Sequence, residues 1–251
     1  MIIGIMVLAN RPLSAAQLIA LAEPLGLSAT NVKSHLTRMV REGVLKRQGP
    51  ARLATYRPAD DQMLVVNGIK ARLRERRDEA WDGKWLMLTL KLPRHRGERE
   101  RLRAALWFDG FRPVNLDVFV RPAWPHPWAQ ERASAYAVQF GGACLEGSFV
   151  AAPSDPRALY DLDGLHFAAR RLAAWIRARR RRCRSPRAAF VERMNVGGRV
   201  AQLIGHDPRL PQAVWGRKRS GMREVVTAFH QFEAQVTRPA DAFVRDTLES
   251  H

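Results

Sequence analysis

The chain has 251 residues and is 46% hydrophobic, which is enough apolar material for two or three packed domains and excludes a disordered basic tail. Its formal net charge of +18 is unusual for an enzyme that acts on small acidic metabolites, whereas it favours binding to a polyanion. The two cysteines, Cys144 and Cys183, are far apart and lack the spacing of a zinc site. We therefore expect a cytoplasmic protein without a disulfide framework.

The first nine residues are apolar and resemble a signal peptide only superficially. They lack a positively charged start, and they span about half of the length that a membrane helix needs. We expect them to form the first helix of a folded domain.

Residues 12–57 show the pattern of a winged helix-turn-helix. A short apolar helix opens at Ser14 and is broken by Gly26, and Ser28 is placed to cap a second helix over residues 29–42. Two basic segments follow around a Gln-Gly-Pro turn, which predicts a two-stranded hairpin with a basic tip. This order favours a DNA-binding domain, and the alternative is a domain of the same build that mediates only protein contacts.

The second helix of this motif has an apolar stripe and an opposite face that is polar and basic. The stripe has the spacing i, i+4, i+7, i+8 and consists of Val32, Leu36, Met39 and Val40. Asparagine and arginine reach base edges in a major groove, and serine and threonine reach phosphates. The side chains that we expect to contact DNA, on this helix and on the hairpin, are Thr30, Asn31, Lys33, Ser34, Thr37, Arg38, Arg41, Lys46, Arg47 and Arg52.

The next segments predict a connecting helix and then a small α+β domain. Residues 61–82 carry apolar side chains at helical spacing and end in an Asp-Gly turn. Residues 83–153 predict the order strand, helix, strand, strand, helix, strand, which is the order of a ferredoxin-like sandwich. The expected elements are strand 85–92, helix 98–108, strands 113–114 and 118–120, helix 128–140 and strand 144–151.

Residues 154–251 are predicted to form a helical C-terminal domain. The arginine run Arg177–Arg184 lies at the end of its first helix. Such a run is either a solvated helix end that the helix dipole favours or a patch that contacts phosphates, and the first interpretation is the commoner one. The expected helices are 165–182, 188–204 with an interruption at Gly197-Gly198, 222–234 and a short one after Pro239.

Six short segments follow one another in a characteristic order: Pro24–Gly43, Trp81–Trp85, Leu106–Phe111, Val118–Pro122, Leu159–Leu165 and Asp207–Pro211. Together they resemble the PaaX-type family of phenylacetate-degradation repressors. The resemblance implies an N-terminal winged helix-turn-helix over residues 1–60, a central ferredoxin-like domain and a helical C-terminal domain. It also implies a homodimeric repressor that an aryl-CoA thioester releases from double-stranded DNA.

The sequence offers little for an enzyme, since it lacks a Gly-x-Ser-x-Gly elbow, a Walker A loop and a His-Glu-x-x-His pair. The alternative function is a metal-dependent nuclease, because the central domain also resembles small CRISPR-associated nucleases. Such a nuclease needs a carboxylate at the end of the first strand, where this chain has Lys91. We therefore expect no catalytic residue, no metal and no cofactor.

An aromatic, anionic effector needs aromatic and cationic side chains close together. We expect it between the central and helical domains, near Trp175, Trp215 and His206, although the sequence does not single out its binding residues. A symmetric dimer would place two recognition helices on half-sites about one helical turn apart, or a multiple of it.

Overall fold

The N-terminal part of the chain forms three helices and a small antiparallel sheet. The computed structural model describes residues 1–50, 53–74, 80–125, 128–148, 159–215 and 221–251. The first elements are helices α1 (Ile2–Ala9), α2 (Ala15–Ala22) and α3 (Ala29–Arg41) and strands β1 (Leu13–Ser14), β2 (Leu45–Gln48) and β3 (Thr55–Pro58). The strand order is β1-β3-β2. The helix expected from the first nine residues and the two helices expected on either side of Gly26 are confirmed.

Local sequence explains where these helices begin and end. Ser14 forms a capping box with Gln17, in which each side chain accepts a hydrogen bond of 3.1 Å from the other residue's backbone. Ser28 caps α3 by accepting from the backbone N–H three residues later, at 3.2 Å. Between the two helices, Glu23–Leu25 form a 3₁₀ turn. The turn ends at Gly26, whose φ of +80° suits a residue without a Cβ.

A 15-residue helix, α4 (Asp60–Arg74), follows the hairpin and corresponds to the expected connecting helix. The central segment then forms a four-stranded antiparallel sheet in the order β5-β6-β4-β7, with two helices. The side chains of the core between them are buried and apolar, among them Leu86, Leu88, Leu102, Leu106, Phe119 and Ala133. The elements are β4 (Trp85–Thr89), α5 (Arg96–Phe108), β5 (Arg112–Pro113), β6 (Val118–Pro122), α6 (Trp128–Gln139) and β7 (Ala143–Gly147).

The first and last strands of the expected βαββαβ order, β4 and β7, end earlier than predicted. Strand β4 ends at Thr89 instead of residue 92, because the next backbone groups bond outside the ladder. The N–H of Leu90 donates to Asp117 O at 3.0 Å, and that of Lys91 donates to Phe140 O at 3.1 Å. Strand β7 ends at Gly147, and residues 149–151, at the end of the expected strand, lie outside the described part of the chain.

The C-terminal part is helical, as expected, but two of its predicted breaks are wrong. Helix α8 continues through Gly197-Gly198, because Val196 and Val200 on either side are almost completely buried. Burial of two such side chains outweighs the cost of about 1 kcal/mol that each glycine adds. The elements are α7 (Leu162–Arg179), a 3₁₀ helix (Arg180–Arg182), α8 (Pro186–His206), α9 (Gln212–Trp215) and α10 (Met222–Glu249).

Helix α10 also runs through Pro239, where the sequence predicted a break. Proline removes one helical hydrogen bond, so an isolated helix would end or kink there. In the folded chain Arg193 of α8 binds carboxylates on both sides of the proline, Glu233 at 3.0 Å and Asp241 at 2.6 Å. Tertiary contacts therefore hold the two halves of α10 as one helix.

The contacts within the chain define two compact units, and the C-terminal helices contribute to both. The first unit contains Met1–Arg74, Arg171–Gln202 and Arg223–His251, and the second contains Glu75–Arg170 and Leu203–Met222. Within the first unit α8 touches α1, since the methyl group of Met194 lies 2.9 Å from the position of a Cβ on Gly4. Among the described residues, no helix is both long enough and apolar enough to span a bilayer.

Candidate nucleic-acid interface

The polar face of α3 is open to solvent along its whole length. Val32 and Leu36 anchor the opposite face, with 0% and 2% of their surface exposed, while Met39 and Val40 are half-buried. The predicted apolar stripe is therefore fully buried only in its first half. All of the α3 side chains that were expected to contact DNA are exposed: Thr30, Asn31, Lys33, Ser34, Thr37, Arg38 and Arg41.

Arg38, in the last turn of α3, has side-chain contacts along its own helix and none elsewhere in the described part of the chain. One guanidinium nitrogen lies 3.0 Å from His35 Nδ1, and because a guanidinium only donates, the ring nitrogen accepts. The Nε atom lies 4.0 Å from Glu42, an exposed i,i+4 pair of a kind that contributes little free energy. Arg38 is therefore available to exchange these contacts for others.

The three cations on the hairpin strands differ in their contacts. Arg47 is exposed and has no ion pair within the described part of the chain. Lys46 Nζ lies 2.7 Å from one carboxylate oxygen of Asp60, and Arg57 Nη1 lies 2.8 Å from the other. The hydrogen bond from Lys46 and, to a smaller extent, the one from Arg57 lower the pKa of Asp60 to about 2. Arg52, the third expected contact on the hairpin, lies outside the described residues.

Asp60 and Arg57 are the residues of this surface that the sequence prediction missed. The strand register places Lys46 directly opposite Arg57, and the helix that follows begins with Asp60. The turn of a hairpin indicates its register, and the register shows which cations of the two strands lie opposite each other. An acidic residue just past the second strand is therefore a sequence signal for an ion pair with those cations. The position of Asp60 between both cations, however, depends on where α4 leaves the sheet.

The residues expected near an effector belong to different units. Trp175 is in the first unit, where the guanidinium groups of Arg179 and Arg199 lie 4.5 Å and 4.4 Å from its ring centre. Trp215 and His206 are in the second unit; Trp215 is buried in an apolar cluster, and His206 is exposed. These contacts do not test the expected effector location, which stays a prediction.

The second unit contains a completely buried arginine that the sequence did not point to. Arg121 donates to the backbone carbonyls of Asp109, Pro122 and Trp124. The Asp109 carboxylate in turn accepts from Arg132 at 2.7 Å and from the Tyr136 hydroxyl at 2.9 Å. Burial and the nearby carboxylate raise the pKa of Tyr136 above its ordinary value. This network joins the end of α5 to β6 and α6 and has a structural role.

Two family models match the chain: PaaX-like protein over residues 4–62 and PaaX protein central Cas2-like domain over residues 78–159. Among solved structures, the uncharacterized protein Rv0674 from Mycobacterium tuberculosis has a similar fold, with a TM-score of 0.52. The two sequences are 24% identical over 94% of this chain and 91% of that chain. No curated protein matches. Because the two family models together match more than half of the residues, the chain belongs to the PaaX-type family.

Proposed function

We propose that this protein is a sequence-specific DNA-binding transcriptional regulator that represses genes of aromatic catabolism. The observation that carries the proposal is the exposed polar and basic face of α3, which is followed in the chain by a hairpin with the exposed Arg47. Membership of the PaaX-type family suggests a transcriptional regulator of phenylacetate catabolism and supports the same conclusion.

The proposed organisation is a winged helix-turn-helix over residues 1–60, a connecting helix over 61–82, a ferredoxin-like domain over 83–153 and helices over 154–251. The order α1-β1-α2-α3-β2-β3 supports the first assignment, with α3 as recognition helix and the hairpin as wing. The strand order β5-β6-β4-β7, with every neighbour antiparallel, supports the ferredoxin-like domain. The helices over 154–251 contribute to both compact units, so this range is a segment of the sequence and not a separate compact domain.

In this proposal α3 enters the major groove, and its side chains divide the work. Asn31 and Arg38 reach base edges, since amide and guanidinium groups form paired hydrogen bonds with adenine and guanine. The shorter hydroxyl side chains and Arg47 on the wing contact phosphates, which position the protein without reading sequence. Two copies of the chain in a symmetric dimer bind the two halves of an inverted repeat.

The test starts with selection of bound duplexes from a random pool, followed by fluorescence anisotropy on the selected and a scrambled duplex over a range of salt. Arg38→Ala should cost about 1–3 kcal/mol on the selected duplex and relax the preference at one base pair. Arg47→Ala should weaken both duplexes alike and lower the salt slope by about one unit. Arg103→Ala, an exposed arginine on α5, is the control. Equal losses on both duplexes for both variants would contradict these roles.

The effector in this proposal is an aryl-CoA thioester, and the functional oligomer is a homodimer. A thermal-shift series with aryl-CoA, alkyl-CoA and free CoA tests the first, and light scattering of the free protein tests the second. We expect stabilisation that is specific to an aryl-CoA, together with release of the selected duplex at the same concentration. The absence of stabilisation by every aryl-CoA would refute the effector class.

The match of residues 78–159 to a Cas2-like domain favours one other candidate, a metal-dependent nuclease. Lys91 stands two residues after the end of β4, where that chemistry needs a carboxylate. Within the described residues, no three histidine, cysteine, aspartate or glutamate side chains are grouped as a metal site would require. Incubation of the protein with an end-labelled duplex and Mg²⁺ or Mn²⁺ separates the two functions, because only a nuclease shortens the labelled strand.

A further inference from the structure

The arginine run after α7 contains two kinds of side chain. Arg177, Arg179 and Arg180 have partners inside the first unit: Glu224 at 4.0 Å, Glu192 at 2.9 Å and Gln235 at 3.0 Å. These partners lie on α8 and α10, so the first half of the run holds the helices together. The second half consists of Arg181, Arg182 and Arg184, which are exposed and have no acidic partner in the part of the chain that the structure describes.

The helix that follows the unpaired half of the run, α8, contacts the N-terminal part of the chain. Helix α8 starts directly after it, and Arg187 in its first turn lies 2.9 Å from Glu23 Oε2. Glu23 is the first residue of the 3₁₀ turn that leads into α3. The contact between Met194 and Gly4 fixes α8 against α1 a further seven residues along. Two contacts thus anchor the first half of α8, which directly follows the arginines, on α1 and on the turn between α2 and α3.

The charge of this corner is strongly positive. Residues 180–187 include five arginines and no acidic residue, and residues 154–251 as a whole hold 19 basic against 10 acidic side chains. The C-terminal dipole of α7 accounts for cations within its last turn, such as Arg179, because the effect fades beyond one turn. It does not account for three further arginines that extend past the helix. Guanidinium groups bind phosphate oxygens through paired hydrogen bonds, and unpaired ones lose no internal contact in doing so.

We propose that Arg181, Arg182 and Arg184 form a second DNA contact, which binds backbone phosphates next to the base pairs that α3 reads. This arginine patch belongs to the C-terminal part of the sequence but acts with the N-terminal domain, because α8 is anchored there. The proposal rests on the proposed function and extends it, since it adds a flanking, sequence-independent footprint to the contacts of α3 and the hairpin.

The test compares two triple variants that change the net charge by the same amount. One removes the patch, R181Q/R182Q/R184Q, and its control, R94Q/R101Q/R103Q, removes three exposed arginines at and near α5 in the second unit. Each phosphate contact contributes about 0.9 to the salt slope, so the patch variant should lose about 2 to 3 units. At 0.15 M salt this corresponds to a loss of roughly thirtyfold to two-hundredfold, equal on selected and scrambled duplexes. The control should keep most of the wild-type slope.

Duplex length provides a second and independent measurement. On a duplex trimmed to the selected sequence, the wild type and the patch variant should bind with similar affinity. Flanking base pairs should tighten binding of the wild type by about the factor that the patch variant loses on the longer duplex, and they should leave the patch variant unchanged. An equal gain for both proteins, or an equal loss in the patch and control variants, overturns the proposal. Circular dichroism of each variant confirms that the exposed substitutions leave the fold intact.

The two proposals fail in different ways. If the wild type binds no duplex, both the proposed function and the arginine patch are wrong. If the wild type selects a sequence and the patch variant retains its full salt slope, the regulator stands and the patch is wrong.

Discussion

The ion pairs around Asp60 make a specific prediction about DNA affinity. Its carboxylate binds Lys46 at 2.7 Å and Arg57 at 2.8 Å, and both cations lie on the hairpin that we propose as the wing. Because these cations hold the pKa of Asp60 at about 2, the carboxylate stays ionised throughout the pH range of a binding assay. Asp60→Asn therefore releases two cations toward DNA that the wild type keeps paired.

The size of the effect follows from the number of released cations. Each additional phosphate contact raises the salt slope by about 0.9, which corresponds to about fivefold in affinity at 0.15 M salt. One or two new contacts should therefore tighten binding by roughly fivefold to thirtyfold, on selected and scrambled duplexes alike. The same reasoning predicts that Lys46→Ala weakens the wild type only slightly, since Lys46 is already paired, and removes much of the gain in the Asp60→Asn background.

The assay is anisotropy over a salt series, with Asp61→Asn as the matched control. Asp61 lies one residue further along α4, and within the described part of the chain its carboxylate accepts a hydrogen bond of 3.4 Å from Gln62 and pairs with no cation. Its removal changes the net charge by the same amount without freeing Lys46. If both variants tighten binding equally, the gain is a general charge effect. A loss of affinity in Asp60→Asn would show that the paired geometry itself is needed for binding.

Three further predictions concern the fold. Ser28→Ala should lower the free energy of unfolding by about 1 kcal/mol in urea titrations, because α3 loses its cap; an unchanged midpoint would contradict the cap. Arg121→Met should cost roughly 2–5 kcal/mol, since buried carbonyls of Asp109 and Trp124 lose their donor, and a variant as stable as the wild type would refute this. Burial raises the pKa of Tyr160 to about 12 from 10.0, so stability is unaffected below pH 10 and declines as the pH rises from 10 toward 12. Tyr160→Phe should reduce that alkaline decline, and an identical decline in both proteins would argue against it.

Much of the candidate interface follows from local sequence. Ser14 and Ser28 cap their helices through bonds that span three residues, and Gly26 takes a backbone conformation that its neighbours would resist. The buried Val32 and Leu36 fix which side of α3 faces inward, so the exposed side follows from helical periodicity. These features depend on short-range chemistry, which is why residue order alone predicts them.

Other features depend on residues that are distant in sequence, and only the tertiary structure decided them. The pairing of Lys46 with Asp60, the continuity of α10 through Pro239 and the contact of Arg187 with Glu23, which are 164 residues apart, leave no periodic signal. Local propensity predicts a helix break at a proline, whereas packing between helices supplies the free energy that overrides it. The sequence by itself determined where α2 and α3 begin and which face of α3 is polar, because caps and helical periodicity act over a few residues. The folded chain decided which of the described cations are paired, because their partners come from other elements.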